Sequence, residues 1–373
     1  MRLAVPKETR EGETRVAATP ESVKKFKGLG LEVTVQTGAG AGAKISDADY
    51  TAAGATIAPD AASTVKDADI VLKVRGPVGG EIAQLKNGAV LAALLSPHSE
   101  AEAIQGLATA CVTAFAMELL PRISRAQSMD VLSSQANLAG YKAVIDAAAT
   151  FGRAMPMMMT AAGTIAPARV LVMGVGVAGL QAIATAKRMG AIVSATDARP
   201  ATKEQVESLG GTFVAVMDEE FKNAQTAAGY AKPMSAEYQA KQAALTAETI
   251  KKQDIVITTA LIPGRKAPIL VTEEMIKTMK PGSVIVDLAA GAGGNTPLSK
   301  PDEVVEAHGV TIMGPTNLPG ALAVDSSSLY ARNLFNFISL IVDKKTGGLS
   351  IDWNDEIIKG SAVTKDGAPV ARN

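Results

Sequence analysis

Cysteine, histidine and aromatic residues are scarce in this chain, and neither sign of charge is in excess. Cys111 is the single cysteine, so no intrachain disulfide can form and the fold must rest on its hydrophobic core. It sits in the apolar run CVTAFAM, which reads as a buried strand. With no signal-peptide pattern at the start, a reducing, cytoplasmic compartment is expected. Aromatics make up 3% of residues against 47% hydrophobic, which suits helices packed closely on parallel sheets better than a β-sandwich. The 37 Lys and Arg residues are balanced by 37 Asp and Glu without a basic stripe, so nucleic acid is not an expected partner. The longest uncharged stretch, residues 154–168, is broken by Pro156, Gly163 and Pro167 and is too short to span a bilayer. Residues 326–342 are apolar but include Arg332 and Asn333 and read as a buried helix, so no direct membrane insertion is expected. Of the two histidines, His98 falls in a loop and His308 after a helix end, and both read as surface positions. No cluster has metal-ligand spacing, and no Ser-His-Asp arrangement can be drawn.

Glycine, by contrast, is concentrated where it has work to do. Residues 169–197 read RVLVMGVGVAGLQAIATAKRMGAIVSATD: an apolar strand, a G-x-G-x-x-G turn, a helix over 179–188 and a second strand ending at Asp197. Gly174 permits the tight turn, Gly176 lets backbone N–H groups approach a pyrophosphate, and Gly179 lets the helix pack closely on the strand. The positive N-terminal end of that helix points at the phosphates. Asp197 follows Gly174 by 23 residues, where an acceptor for adenosine ribose hydroxyls belongs. An acid there repels a 2′-phosphate, which favours NAD over NADP; Arg199, two residues on, is the one sign against it.

Strand-like segments at 2–5, 33–36, 69–74, 89–95 and 111–116 alternate with helical or loop segments, the first helix starting at Pro20. A second series begins at Val170 and continues at 213–217, 254–258, 283–287 and 310–313. The alternation predicts an α/β fold of two Rossmann-like doubly wound domains. Residues 128–151 read as a long connecting helix, and a C-terminal helix from about Ser326, capped by Asp325, returns the chain to the first domain. The predicted division is 1–127 with 314–373, and 128–313, with chemistry expected in the cleft of such a pair. Residues 223–238 lack a clear period and read as a lid over bound cofactor or as an ordered surface excursion.

A second polar group, Arg122, Gln127, Asp130 and Ser133, lies in RISRAQSMDVLSS. If the helix has begun by Gln127, the last three share one face and offer donors and acceptors for a nicotinamide and its ribose. A solvated helix start is the other reading. Lys7, Arg15 and Lys73 are candidates to bind a carboxylate, or else solvated or snorkelling cations.

On these residues the chain resembles the soluble NAD(H)-binding component, domain I or the alpha-1 subunit, of the proton-translocating NAD(P) transhydrogenases. The resemblance runs through essentially the whole chain and is most specific in RISRAQSMDVLSSQANLAGYKAV, MGVGVAGL, AGYAKPMS and VDLAAGAGGN. It implies that Arg122, Gln127, Asp130 and Ser133 face the nicotinamide side. Gly174, Gly176 and Val177 would form the pyrophosphate turn, and Asp197, Ala198 and Arg199 the adenosine ribose end. Tyr230 would be the tyrosine of a mobile loop, and Gly179, Gly229, Ala260 and Leu261 complete the set expected at the cofactor. The implied cofactor is NAD(H), with NADP(H) held only by a partner component. The implied activity is direct hydride transfer between the two, with proton movement left to a membrane-spanning component. A homodimer, peripheral on the cytoplasmic face of the inner membrane, is expected. The related alanine dehydrogenases use a histidine about twenty residues beyond the strand lysine, where this chain has Leu94 and Leu95. They also use an aspartate in the segment matching DLAAGAGG, where it has Gly291. A stand-alone alanine dehydrogenase and a non-enzymatic NAD(H) sensor are the alternatives.

Overall fold

The computed structural model describes residues 1–224, 232, 234–262 and 264–371. The chain divides into two compact units, Met1–Gln135 with Pro319–Asn373, and Ala136–Leu318. One break falls inside the helix Val131–Thr150 rather than at 127/128. The physical reason is that Val131 is buried in the first unit's core and Gln135 is hydrogen-bonded to Arg15 and to the Ser326 carbonyl.

In the first unit, six parallel strands lie in the order Thr113–Ala116, Val90–Leu94, Ile70–Arg75, Arg2–Val5, Glu32–Gln36, Thr56–Ala58. Numbered along the chain this is 6-5-4-1-2-3, the doubly wound order. Ala362–Lys365 and Ala368–Pro369 extend the Thr113–Ala116 edge antiparallel. The first helix, Pro20–Gly28, is started by Thr19, whose hydroxyl accepts the Ser22 N–H in a reciprocal capping box. The helix Ala323–Ile341 buries Tyr330, Leu334, Phe337, Ile338 and Ile341 along one stripe, joining the core of Leu3, Val5, Phe26 and Phe115. Each such side chain is worth roughly 1.5–3 kcal/mol of burial. Phe337 meets Phe115 edge-on at 5.1 Å, fastening the returning segment.

The second unit repeats the order: Thr212–Phe213, Ile192–Thr196, Arg169–Met173, Ile255–Thr258, Val284–Asp287, Val310–Met313. Along the chain this is 3-2-1-4-5-6, with Val304–Ala307 added antiparallel at the edge. Ile255–Thr258 and Val284–Asp287 are buried at every residue, as central parallel strands covered on both faces must be. The topological switch lies between Arg169–Met173 and Ile255–Thr258, so loops leaving their carboxyl ends border the crevice where this fold takes ligands.

Several local expectations give way to tertiary chemistry. Cys111 is exposed with φ 54°, outside the strand Thr113–Ala116. Its N–H bonds the Ala108 carbonyl and that of Val112 the Leu107 carbonyl, the left-handed close of the preceding helix. His308 follows a strand, not a helix. His308 and Gly309, with φ 54° and 77°, form the two-residue turn of the hairpin Val304–Ala307/Val310–Met313, and His308 pairs with Glu273 at 2.9 Å. The strand at 213–217 shrinks to Thr212–Phe213, since the chain leaves the sheet to cap a short helix with Asp218. The C-terminal helix starts at Ala323 after Leu322, placing Asp325 inside its first turn rather than at the cap. Tyr238 belongs to the helix Ala236–Ile250, capped by Ser235. An unforeseen hairpin, Met158–Thr160 with Gly163–Ile165, is exposed along both strands.

Candidate functional site

The glycine turn follows the first strand of the second unit, and each glycine is there for a different reason. Gly174 has φ 99°, and a Cβ on it would stand 2.5 Å from the Thr259 hydroxyl. That hydroxyl donates to the Gly174 carbonyl at 2.9 Å. A Cβ on Gly179 would lie 1.9 Å from the Gly174 carbonyl oxygen, so only hydrogen lets the helix Val177–Arg188 seat against the turn. Gly176 caps that helix without a side-chain hydrogen bond, and nothing stands within 4 Å of where its Cβ would be. An uncapped helix start with open space in front leaves backbone N–H groups for a ligand. Val177 is the first helical residue and is 39% exposed.

A fourth glycine, missed in the sequence, acts on the same place. Gly140, in the helix Val131–Thr150, would put a Cβ 2.0 Å from the Ala178 carbonyl oxygen. The two helices therefore touch backbone to backbone.

Asp197 comes one residue after the strand Ile192–Thr196. Its Oδ2 accepts the Val175 N–H at 2.7 Å, and its Oδ1 accepts the Arg199 N–H at 2.9 Å. The Arg199 guanidinium donates to both carboxylate oxygens at 2.8 Å each, and the hydrogen bond to Asp197 holds its pKa above the ordinary arginine value. Ala198, between them, is exposed. Ala260 and Leu261 follow the fourth strand. Ala260 is bonded to Asn295 through both N–H and C=O, whereas Leu261 is 55% exposed. Gly229 and Tyr230 lie outside the described residues.

The polar group in the first unit is not a single helical face. Gln127 is exposed in the 3-10 turn Ser124–Met129, and the α-helix begins only at Val131. Asp130, between the two, has φ −70° and ψ 92° and acts as the helix cap. Its carboxylate accepts the Ser133 N–H at 2.9 Å and the Ser133 hydroxyl. The structure thus joins Asp130 to Ser133, and leaves Arg122 and Gln127 exposed on the chain just before them.

The three cations considered for a carboxylate part company. Lys7 is exposed. Arg15 and Lys73 are 4% and 3% exposed, neither solvated nor snorkelling, and each is paired inside the chain. Arg15 meets Glu13 at 2.6 Å, and Lys73 meets Glu81 at 3.1 Å and Glu8 at 3.7 Å. Glu8 also accepts the Val74 and Arg75 N–H groups; burial pushes its pKa up against these contacts. In the first unit, then, the loop after the first strand supplies an acid where the second unit has its glycine turn. His98 is exposed in a turn. Among the described residues no group of three or more His, Cys, Asp or Glu is placed to hold a metal. No helix among them is long and apolar enough to cross a membrane.

Two doubly wound units, one with a glycine turn open at a helix start, define an α/β protein of the Rossmann class. Residues 4–139 and 143–372 match the N-terminal and C-terminal domains of the alanine dehydrogenase/PNT family, and the chain belongs to that family. It is 59% identical over 375 residues to the first of the separate chains of NAD(P) transhydrogenase subunit alpha from Rhodospirillum rubrum, covering 99% of this chain and 98% of that one. The crystal structure of transhydrogenase from Sinorhizobium meliloti superposes with a TM-score of 0.91 at 54% identity, over 99% of this chain and 100% of that one. An L-alanine dehydrogenase structure follows at TM-score 0.83 and 25% identity, over 99% of this chain and 97% of that one.

Proposed function

We propose that this chain is the NAD(H)-binding subunit of a proton-translocating NAD(P) transhydrogenase. The observation that carries the reading is the open glycine turn, with Asp197 beyond it, in a chain 59% identical along its length to a transhydrogenase subunit. Gly174, Gly176, Val177 and Gly179 would receive the pyrophosphate. Asp197, Ala198 and Arg199 would take the adenosine ribose, with Gly229, Tyr230, Ala260 and Leu261 around them. Arg122, Gln127, Asp130 and Ser133 would orient the nicotinamide and its ribose. The open Gly176 face and the uncapped helix start fit such a ligand. NAD(H), when bound, supplies the hydride that is exchanged with NADP(H) on a partner component. The chain's own contribution is positioning, and proton translocation belongs to a membrane-spanning partner. In this reading the subunit sits at the cytoplasmic face of the inner membrane. A homodimer is part of the reading, supported by the apolar hairpin whose Met157, Met158, Met159 and Ile165 are 60%, 46%, 77% and 40% exposed.

The test uses bacterial membranes that contain transhydrogenase and have been washed free of their peripheral subunit. Reduction of an NAD analogue by NADPH should return on adding this protein and not otherwise. A stand-alone alanine dehydrogenase is the second reading, favoured by the L-alanine dehydrogenase likeness. Leu94, Leu95 and Gly291 stand against it, offering no acid or base where that chemistry needs one. Oxidation of NADH with pyruvate and ammonia, in the absence of membranes, would establish it. Failure of both assays with NADH still bound would favour a sensor.

A further inference from the structure

The acid beyond the glycine turn is already saturated by its own chain. Asp197, with a side chain 9% exposed, takes four donors. Val175 N and Arg199 Nη2 reach Oδ2 at 2.7 and 2.8 Å; Arg199 N and Nε reach Oδ1 at 2.9 and 2.8 Å. An ionised carboxylate has about four lone-pair sites, so none is left for another hydroxyl. Two of the four donors are backbone groups fixed by the turn. The other two are the fork of one side chain, 30% exposed, that also donates to the Val175 carbonyl at 3.1 Å. Only the guanidinium can leave without unmaking the turn.

We propose that Arg199 stands in for the adenosine ribose diol on Asp197, and that this pairing sets the preference for a nucleotide without a 2′-phosphate; the inference rests on reading the second unit as the NAD(H) site. A ribose with two free hydroxyls replaces the two guanidinium bonds donor for donor, and the freed arginine moves into water it already touches. A 2′-phosphate brings acceptors and negative charge instead of a donor. An arginine at this position of the fold is the kind of residue that receives a 2′-phosphate, but here its charge is cancelled by a bidentate carboxylate. Arg199 is thus a latent phosphate ligand held in check by Asp197.

The experiment is equilibrium binding of NADH and of NADPH to the whole chain, in the wild type, Arg199→Ala, Asp197→Asn and the double variant. Asparagine keeps an oxygen for the Val175 N–H but gives up the charge that holds the guanidinium. Asp197→Asn should weaken NADH and tighten NADPH by about tenfold or more, the usual size of a charged hydrogen bond gained. Adding Arg199→Ala should remove that gain. Arg199→Ala alone should bind NADH a few-fold tighter, because the ribose no longer competes with the chain. An NADPH gain that is absent, or that survives in the double variant, overturns the proposal. If Asp197→Asn does not fold, unchanged or weaker NADH binding by Arg199→Ala overturns it as well. Wild-type protein that binds no NADH would instead remove the functional reading beneath it.

Discussion

Asn295 holds Ala260 by both edges of its peptide. Its side-chain oxygen accepts the Ala260 N–H at 3.1 Å, and its amide nitrogen donates to the Ala260 and Pro268 carbonyls at 2.9 and 2.8 Å. Asn295 is fully buried, and its own N–H is given to Asp287 at 2.7 Å. The loop after the fourth strand is therefore fixed by one side chain that must both donate and accept. Leucine can do neither, and aspartate cannot donate. Asn295→Leu should cost about 1–3 kcal/mol for each buried group it orphans. The same substitution should weaken NADH binding, because Ala260 and Leu261 would be released. Thermal denaturation alongside NADH titration checks both, and a variant with wild-type melting and affinity would show that the clamp is idle.

Gly140→Ala should be far more damaging than an alanine in a helix has any right to be. The added methyl would lie 2.0 Å from a backbone oxygen, that of Ala178, so no rotamer relieves it and the two helices must part. The expected loss is about 1–3 kcal/mol or more, as for overpacked cores, together with weaker NADH binding as the helix start moves. Gly152→Ala is the control. Nothing lies within 4 Å of its Cβ position, and denaturant midpoints for it should stay at or above wild type.

The contrast between these two glycines shows where the sequence could be read and where it could not. Central strands such as Val310–Met313 were legible because burial on both faces leaves an apolar run. Edge strands such as Val304–Ala307, half exposed, leave none. The glycine turn and Asp197 were legible because their spacing is local and tied to one strand-turn-helix unit. Gly140 and Asn295 were not, since their reasons lie 38 and 35 residues away, at Ala178 and Ala260. Cys111 misled because a left-handed helix close can be as apolar as a strand. Asp130 followed by Ser133 did carry a signal, that of a helix cap, and reading it would have ended the idea of one face from Gln127 to Ser133.

Glu118→Gln should stabilise the protein near neutral pH. One carboxylate oxygen of Glu118 accepts the Leu95 and Ser96 N–H groups at 2.9 and 2.5 Å. The other is buried with no hydrogen-bond partner among the described residues. Burial pushes the pKa above 4.5 despite the backbone donors and Arg75. The folded state thus holds its proton longer than the unfolded state. That contribution to stability is complete below the unfolded pKa and is lost as pH rises through the folded one. Glutamine keeps the acceptor and removes the titration. Its advantage, about 1–3 kcal/mol for a desolvated unpaired group, should appear at pH 7 and fade toward pH 4. Urea unfolding across that range checks it, and curves that stay parallel would show that Glu118 does not titrate in the fold. Glu8, also raised by burial, keeps a residual slope of the same sign in the variant.

Gln127→Asn separates positioning from binding. The backbone around Gln127 is fixed: Asn333 and Asn336 both donate to the Ser128 carbonyl at 2.9 Å, and the Asp130 N–H returns to the Gln127 carbonyl. The side chain is exposed, so shortening it by one methylene disturbs no core and keeps the amide. If Gln127 orients the nicotinamide, the shorter amide displaces it by about an ångström, a misplacement that costs about 10²-fold in rate. NADH affinity, shared among many contacts along the dinucleotide, should change only a few-fold. Stopped-flow hydride transfer with an NADP-loaded partner component gives the first quantity and fluorescence titration the second. Equal losses in both would make Gln127 a simple binding contact, and no loss in either would take it out of the site.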